Sequence, residues 1–291
     1  MSKIVSISFA SGQPYEKYLA WNAFTAKHIG KADEVYSYTE KDIPSSYREE
    51  HIDIFAYKRG AGLWLWKPYF VSRTLEQMED DDWLIYADAG VFFVKKIKKL
   101  IKYAEQHHKD SLFFGLPLIN RQFCKRECYE LLGITDKGEN QAVGTYFLLK
   151  KTQKTVAMIS EWKQWCENVE LLSPKRTHKE IEEFPDFFSH REDQSLLSLL
   201  LIKHGVSLNK DCSNFGIFPY DYCYKEFEYR PIDTSDETYG VVLISHRRIH
   251  PLRFYVTFQI KRFLKNLNLK YTEKEVLENR PSFANNITKP E

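Results

Sequence analysis

Residues 82–90, DWLIYADAG, place a carboxylate where a buried strand runs out. Trp83 to Ala87 is an apolar run too short for a typical helix and follows the acidic turn EDDD, so it reads as a strand closed by Asp88. Open α/β sheets put ligand chemistry at that end of a strand. The small neighbours Ala89 and Gly90 let a hard divalent cation approach, and such an ion is commonly held by one or two carboxylates together with phosphate oxygens. Its contribution would be to neutralise charge building on a diphosphate leaving group. Asp is equally a turn residue, and that reading stands beside the first.

His246 closes a second apolar strand, VVLIS, within GVVLISHRRIH (240–250). An imidazole can ligate Mn²⁺, and if both strands run the same way in one sheet, His246 and Asp88 lie on the same side of it. The alternative is a surface histidine bonded to backbone. Arg247 and Arg248 would offer guanidinium forks to phosphate, and His250 follows four residues after His246. In GAGLWLWKPY (60–69), Lys67 stands beside a helix start, where free N–H groups attract anions. The rival reading is a Trp-rich segment packed on the core. GAG lacks the spacing and the preceding strand of a nucleotide fingerprint. In HREDQS (190–195), Glu192 and Asp193 open a strongly apolar helix. Acidic residues are favoured there by the helix dipole alone, but Asp193 could also act as general base on a hydroxyl or steady positive charge at an anomeric carbon.

The elements that must position these groups alternate. KIVSISFA (3–10), EVYSYT (34–39) and WLIYA read as strands separated by helical patterns, an order that predicts a mainly parallel sheet flanked by helices. SLFFGLPL (111–118) and GTYFLLKK (144–151) add strands. VKKIKKLIKYAEQHH reads as an amphipathic helix, and TVAMISEWKQWCENVELL as a long helix with Trp162 and Trp165 in the core. The stretch 173–189 is a polar connector that could serve as a lid. The segment 253–270 is basic and amphipathic, and the last residues, ENRPSFANNITKPE, read as disordered.

Composition bounds the function. Forty-two Lys and Arg against 40 Asp and Glu leave a formal charge of +2, which provides no field for nucleic acid. The 18 Tyr, 20 Phe and 6 Trp can build a core or stack on rings. Five cysteines, Cys124, Cys128, Cys166, Cys212 and Cys223, are an odd number without the close pairs of a zinc ribbon. With no signal-peptide core at the N-terminus, the expectation is reduced thiols in the cytoplasm. No apolar stretch approaches the ~20 residues of a spanning helix, so membrane contact would be peripheral.

Together, the strand-ending YADAG, the GAGLWLWKP segment, the REDQS helix start and the late SHRR resemble bacterial glycosyltransferases of the GT-A fold. They are most similar to those of capsule, O-antigen and lipooligosaccharide assembly, over roughly residues 3–250. The resemblance implies a single Rossmann-like α/β domain, 1–250, followed by a C-terminal helical extension, 251–291. It further implies transfer of a hexose-type sugar from a nucleoside diphosphate, UDP first among the bases, to a hydroxyl of a glycan or lipid-linked glycan. In that family the motif Asp-x-Asp holds the metal; Asp88 matches its last position, and Tyr86 stands where the first Asp is expected. By the same resemblance Phe9, Ala10 and Ser11 meet the nucleoside, Gly144 borders the donor sugar, Lys67 and Arg247 contact phosphate, and Asp88 and His246 hold Mn²⁺ or Mg²⁺. Asp193 falls in the region of the base of inverting enzymes, while the Asp193-Gln194 pair is similar to retaining ones, so the stereochemical course stays open. The extension would dock on anionic lipid or pack back on the domain. Two rivals are a sugar nucleotidyltransferase, against which SFASGQPYEKY lacks a Gly-rich, Arg-bearing loop, and a non-catalytic glycan-binding module built on the aromatics.

Overall fold

A computed structural model of the protein describes residues 2–13, 15–232, 237–246 and 249–283. The strands are β1 (Ile4–Ala10), β2 (Glu34–Thr39), β3 (Trp83–Ala87), β4 (Val91–Phe93), β5 (Ser111–Leu112), β6 (Gly115–Ile119), β7 (Asn140–Ala142), β8 (Tyr146–Lys150) and β9 (Leu243–Ser245). The central sheet has the order β2-β1-β3-β8-β5. β1 is parallel to β2 and β3, while β8 is antiparallel to β3 and β5, so β8 alone runs against the other four. This is the mixed, mainly parallel sheet that the strand and helix alternation predicts.

β1 and β3 are buried along their whole length, which is why they read as continuous apolar runs. Alternation along each strand divides the core. Val5, Ile7, Leu84, Tyr86, Phe147 and Leu149 share one cluster with residues of the helices Trp66–Gln77, Gln153–Cys166 and Glu192–Lys203. Ile4, Trp83, Ile85, Tyr146 and Leu148 belong to another, with Leu100, Ile101 and Tyr103 of the helix Lys98–Gln106. Trp162 and Trp165 lie in the core, as the helical pattern implies.

The stretch 111–118 is two strands, β5 pairing with β8 and β6 with β7. The break falls at Gly115, where an added Cβ would stand 2.5 Å from the Ile232 side chain. The connector 173–189 is pinned to its surroundings. Glu127 accepts from the backbone N–H groups of Thr177 and His178, Arg121 pairs with Asp186 at 3.0 Å, and Phe188 donates to the Gln122 carbonyl. Past residue 250, helix Pro251–Asn266 inserts Phe258 into a cluster with Phe92, Phe218 and Ile244. Of the tail read as disordered, residues 278–283 are instead held in place, with Lys225 N–H on Pro281 O at 3.1 Å and the Phe283 ring 5.2 Å from that of Phe227, and residues 284–291 lie outside the described residues.

Candidate active site

The chain folds tightly ahead of Lys67. Gly60, Ala61, Gly62, Leu63 and Trp64 all have positive φ, a left-handed turn closed by Leu63 N–H on Arg59 O at 2.9 Å and Trp64 N–H on Gly60 O at 3.2 Å. Left-handed backbone is costly for residues with a Cβ, and such runs persist only where surrounding structure over-determines them. Here Trp66 is the anchor. Its indole donates to Gly60 O at 2.9 Å, and its ring stacks on Phe9 at 3.8 Å. The helix thus begins at Trp66, and Lys67, its second residue, is buried.

Lys67 is 3% exposed. Its Nζ lies 2.7 Å from Asp193 Oδ2 and 3.8 Å from Asp88 Oδ1, and donates to Gly144 O at 3.0 Å. Burial draws the ammonium toward neutrality, but Asp193 and then Asp88 outweigh it and hold its pKa above the ordinary lysine value. Three candidates remote in sequence, Lys67, Asp88 and Asp193, therefore form one cluster with Gly144 at its edge. The lysine is committed to carboxylates rather than presented as a free phosphate ligand.

Asp88 follows β3 directly. Its backbone makes the turn, with Asp88 N–H on Thr145 O at 2.8 Å, Val91 N–H on Asp88 O at 3.0 Å, and the Asn22 amide bonding the carbonyls of Asp88 and Val91. Its side chain serves something else. Oδ1 accepts from the Tyr86 hydroxyl and faces Lys67, while 33% of the side chain stays exposed. Its surroundings push the carboxyl above the usual range, with Lys67 and Tyr86 opposing. Tyr86 thus supplies a proton donor at the position where the resemblance expects a second aspartate.

Asp193 is 4% exposed, and burial raises its pKa to about 6, with Lys67 opposing and Asp88 reinforcing the shift. Its neighbours are fixed on both sides. Glu192, at φ +39°, accepts from Arg59 Nε at 2.7 Å, and Gln194 donates to Ala142 O at 2.8 Å and to Gln141 Oε1 at 3.2 Å. Gln194 packs closely on Gly144, where an added Cβ would stand 3.1 Å from Gln194 Cβ. Arg59, Gln141 and the packing of Gln194 on Gly144 carried no signal in the sequence, because each is a contact between distant segments.

His246 reaches this region by an unexpected route. β9 is not a strand of the central sheet; it pairs antiparallel with β4, so the expectation of two co-directional strands is corrected. Because β4 begins just beyond the Asp88 turn, that pairing still brings His246 beside it, with His246 N–H on Gly90 O at 3.0 Å. The imidazole is buried, and burial lowers its pKa. Nδ1 contacts Ile249 O at 2.6 Å, and Nε2 has no partner among the described residues. Asp88 keeps exposed carboxylate surface and His246 Nε2 is a buried nitrogen without a partner among the described residues, and an oxygen and a nitrogen of these kinds are donor types that suit Mn²⁺.

The remaining candidates are spread around this centre. Phe9 and Ala10 are buried, Phe9 with its ring on Trp66, and Ser11 Oγ bonds the Glu40 carboxylate. His250 is exposed at the start of the last long helix. Arg247 and Arg248 lie outside the described residues.

No protein-family model and no curated protein matches the chain. Among solved structures it is similar to mouse xyloside xylosyltransferase 1 in its apo form, at 11% identity and a TM-score of 0.45, over 84% of this chain and 97% of that one. It is also similar to the galactosyltransferase LgtC in complex with donor and acceptor sugar analogues, at 16% identity and a TM-score of 0.43, over 85% of this chain and 87% of that one.

Proposed function

We propose that this protein transfers a sugar from a nucleoside diphosphate donor, UDP first among the bases, to a hydroxyl of a glycan or lipid-linked glycan. The observation that carries the reading is the buried Lys67 joining Asp88 to Asp193 at the C-terminal end of β3. A turn residue or a sugar-binding platform has no need for a desolvated cation between two carboxylates, since burying such charges is costly.

Asp88 and His246 are the residues that would hold Mn²⁺ or Mg²⁺, and the bound ion would supply charge neutralisation at the diphosphate. Tyr86 fixes one oxygen of Asp88 and leaves the exposed part of the carboxylate toward the ligand. Asp193, buried and ion-paired, is better placed to steady positive charge at an anomeric carbon than to abstract a proton from an incoming acceptor. Lys67 holds it there, and Gly144, with its carbonyl on Lys67 and Gln194 packed against it, borders the donor sugar.

The C-terminal helix supports a lipid-linked acceptor. Leu252, Val256, Ile260, Phe263 and Leu267 are each more than half exposed and recur at helical spacing, while Arg253, Lys261, Arg262 and Lys270 supply positive charge. Such a helix can lie in the plane of an anionic membrane surface. No helix among the described residues is long and apolar enough to cross a membrane. The cytoplasmic face of a membrane is the location we infer.

The test is a thermal-shift panel of UDP-, GDP-, CMP- and dTDP-sugars with and without Mn²⁺, on the wild type and on Asp88→Ala. A shift from one nucleotide class that requires Mn²⁺ and disappears in Asp88→Ala is expected. Sugar binding without nucleotide or metal would instead support a glycan-binding module.

A further inference from the structure

Three buried side chains meet where residues 120–128 pack against the start of helix Glu192–Lys203. Cys124 and Cys128 are fully buried and His190 is 4% exposed. One sulfur from each cysteine and one ring nitrogen of the histidine lie within 4.8 Å of one another. Both cysteines are free thiols.

Their hydrogen bonding is sparse. Cys124 Sγ lies 3.8 Å from Lys125 O, and Cys128 Sγ lies 3.4 Å from Leu171 O. The Lys125 N–H approaches His190 Nδ1 at 3.4 Å, and among the described residues His190 Nε2 makes no hydrogen bond of good geometry, although the backbone of Leu171 and Leu172 lies close enough to interact with the ring. A buried polar atom left in this state calls for an explanation such as a water or an ion. Beside the cluster, Glu183 Oε1 accepts from the backbone N–H groups of Arg126 and Phe184, and its Oε2 faces Arg176 Nε at 3.7 Å, so this carboxylate is engaged outside the cluster. The nearby ammonium of Lys125 is already balanced by Glu127 at 2.9 Å.

We propose that Cys124, Cys128 and His190 bind a zinc ion as three of its four ligands. Two thiolates and an imidazole select zinc over the hard ions suited to Asp88, and Cys124 and Cys128, though not the tighter pair of a zinc ribbon, are separated by three residues, within the two to four of structural zinc sites generally. Each thiol loses its proton as its sulfur bonds the metal, so one Zn²⁺ releases two protons and no electrons move. The ion joins the segment bearing Cys124 to the residue just before Arg191, where Ser195 Oγ on Phe123 O at 2.6 Å already ties the same two segments. It therefore positions the helix start that carries Asp193 and does not touch the sugar. His190, Cys124 and Cys128 are positioning residues in this scheme.

The test uses the full chain purified without chelator. Elemental analysis should find about one zinc per chain, and Co²⁺ added to protein stripped of metal should give a near-ultraviolet thiolate-to-cobalt band. Cys128→Ser and His190→Ala should weaken Co²⁺ binding at least tenfold, whereas Cys212→Ser, outside the cluster, should leave it unchanged. A folded wild-type protein with neither zinc nor the cobalt band overturns the proposal. So does a band that survives in the Cys124→Ser, Cys128→Ser double variant, or a Cys124–Cys128 disulfide found by mass spectrometry. The wild-type cobalt spectrum needs no variant to fold, and a thiolate band cannot come from Asp88 and His246.

Discussion

The ammonium of Lys67 lies 2.7 Å from a carboxylate oxygen of Asp193 and is 3% exposed, so the C-terminal end of β3 is organised around a desolvated ion pair. Removing one partner of such a pair leaves an uncompensated buried charge. Lys67→Met is expected to lower stability by about 3–5 kcal/mol. Lys67→Met with Asp193→Asn should recover part of that loss, because the orphaned carboxylate is gone. Urea denaturation of the two variants measures it; equal losses would mean that the pair is not coupled.

Asp193 carries a pH signature. Its folded pKa, about 6, lies above the ordinary aspartate value of about 4. The folded state therefore binds this proton more tightly than the unfolded chain. The stability it contributes is complete below pH 4 and is lost as pH rises through 6. As pH rises from 4 to 7, the stability of Asp193→Asn relative to wild type should therefore improve, starting from the deficit that leaving Lys67 without its partner creates. For transfer, kcat/KM should rise with pH through about 6 and then level off as the carboxylate ionises, and in Asp193→Asn the residual rate should lack this rise. A pH-rate profile with no inflection near 6 would remove Asp193 from the reaction.

The metal reading makes His246 and Asp88 act together. His246→Ala and Asp88→Asn should each lower Mn²⁺-dependent UDP binding at least tenfold, with little effect on UDP binding in chelator. Calorimetric titration with UDP in the presence of Mn²⁺ or EDTA separates the two. Unchanged Mn²⁺ dependence in His246→Ala would leave that histidine as a buried structural side chain against Tyr18 and Phe92.

The left-handed turn before Lys67 should tolerate little change. At Gly62, φ is +92° and an added Cβ would stand 2.6 Å from the Phe55 ring. Gly62→Ala is expected to cost about 2 kcal/mol or more, from the left-handed backbone together with the clash. Thermal denaturation checks this directly, and a neutral result would show that the turn rearranges freely.

The C-terminal helix is best tested by point changes, since Phe258 belongs to the core and deleting the helix would open it. Val256→Glu with Ile260→Glu should abolish flotation with vesicles containing anionic lipid while leaving the melting temperature nearly unchanged. Wild-type protein that fails to float with such vesicles would dismiss the membrane surface.

Much of the fold was legible because it is local. The bounds expected for β2 are those observed, and β1 differs only in starting at Ile4. Both follow from apolar runs bracketed by turn residues. Where the sequence misled, a distant contact decided: residues 111–118 looked like one strand until Gly115 had to pass beneath Ile232. The connector 173–189 looked loose because its anchors, Glu127, Arg121 and Gln122, lie elsewhere in the chain.

The candidate site divides in the same way. From its own sequence the chain determined that Asp88 ends a buried strand, that Asp193 opens an apolar helix and that Lys67 sits at a helix start, since each depends on hydrophobic runs within a few residues. That these three share one buried cluster, and that His246 comes to the Asp88 turn through an antiparallel ribbon, only the tertiary structure decided. Charge compensation and strand pairing act between segments far apart in the chain, and they are settled when both faces of the sheet are buried at once.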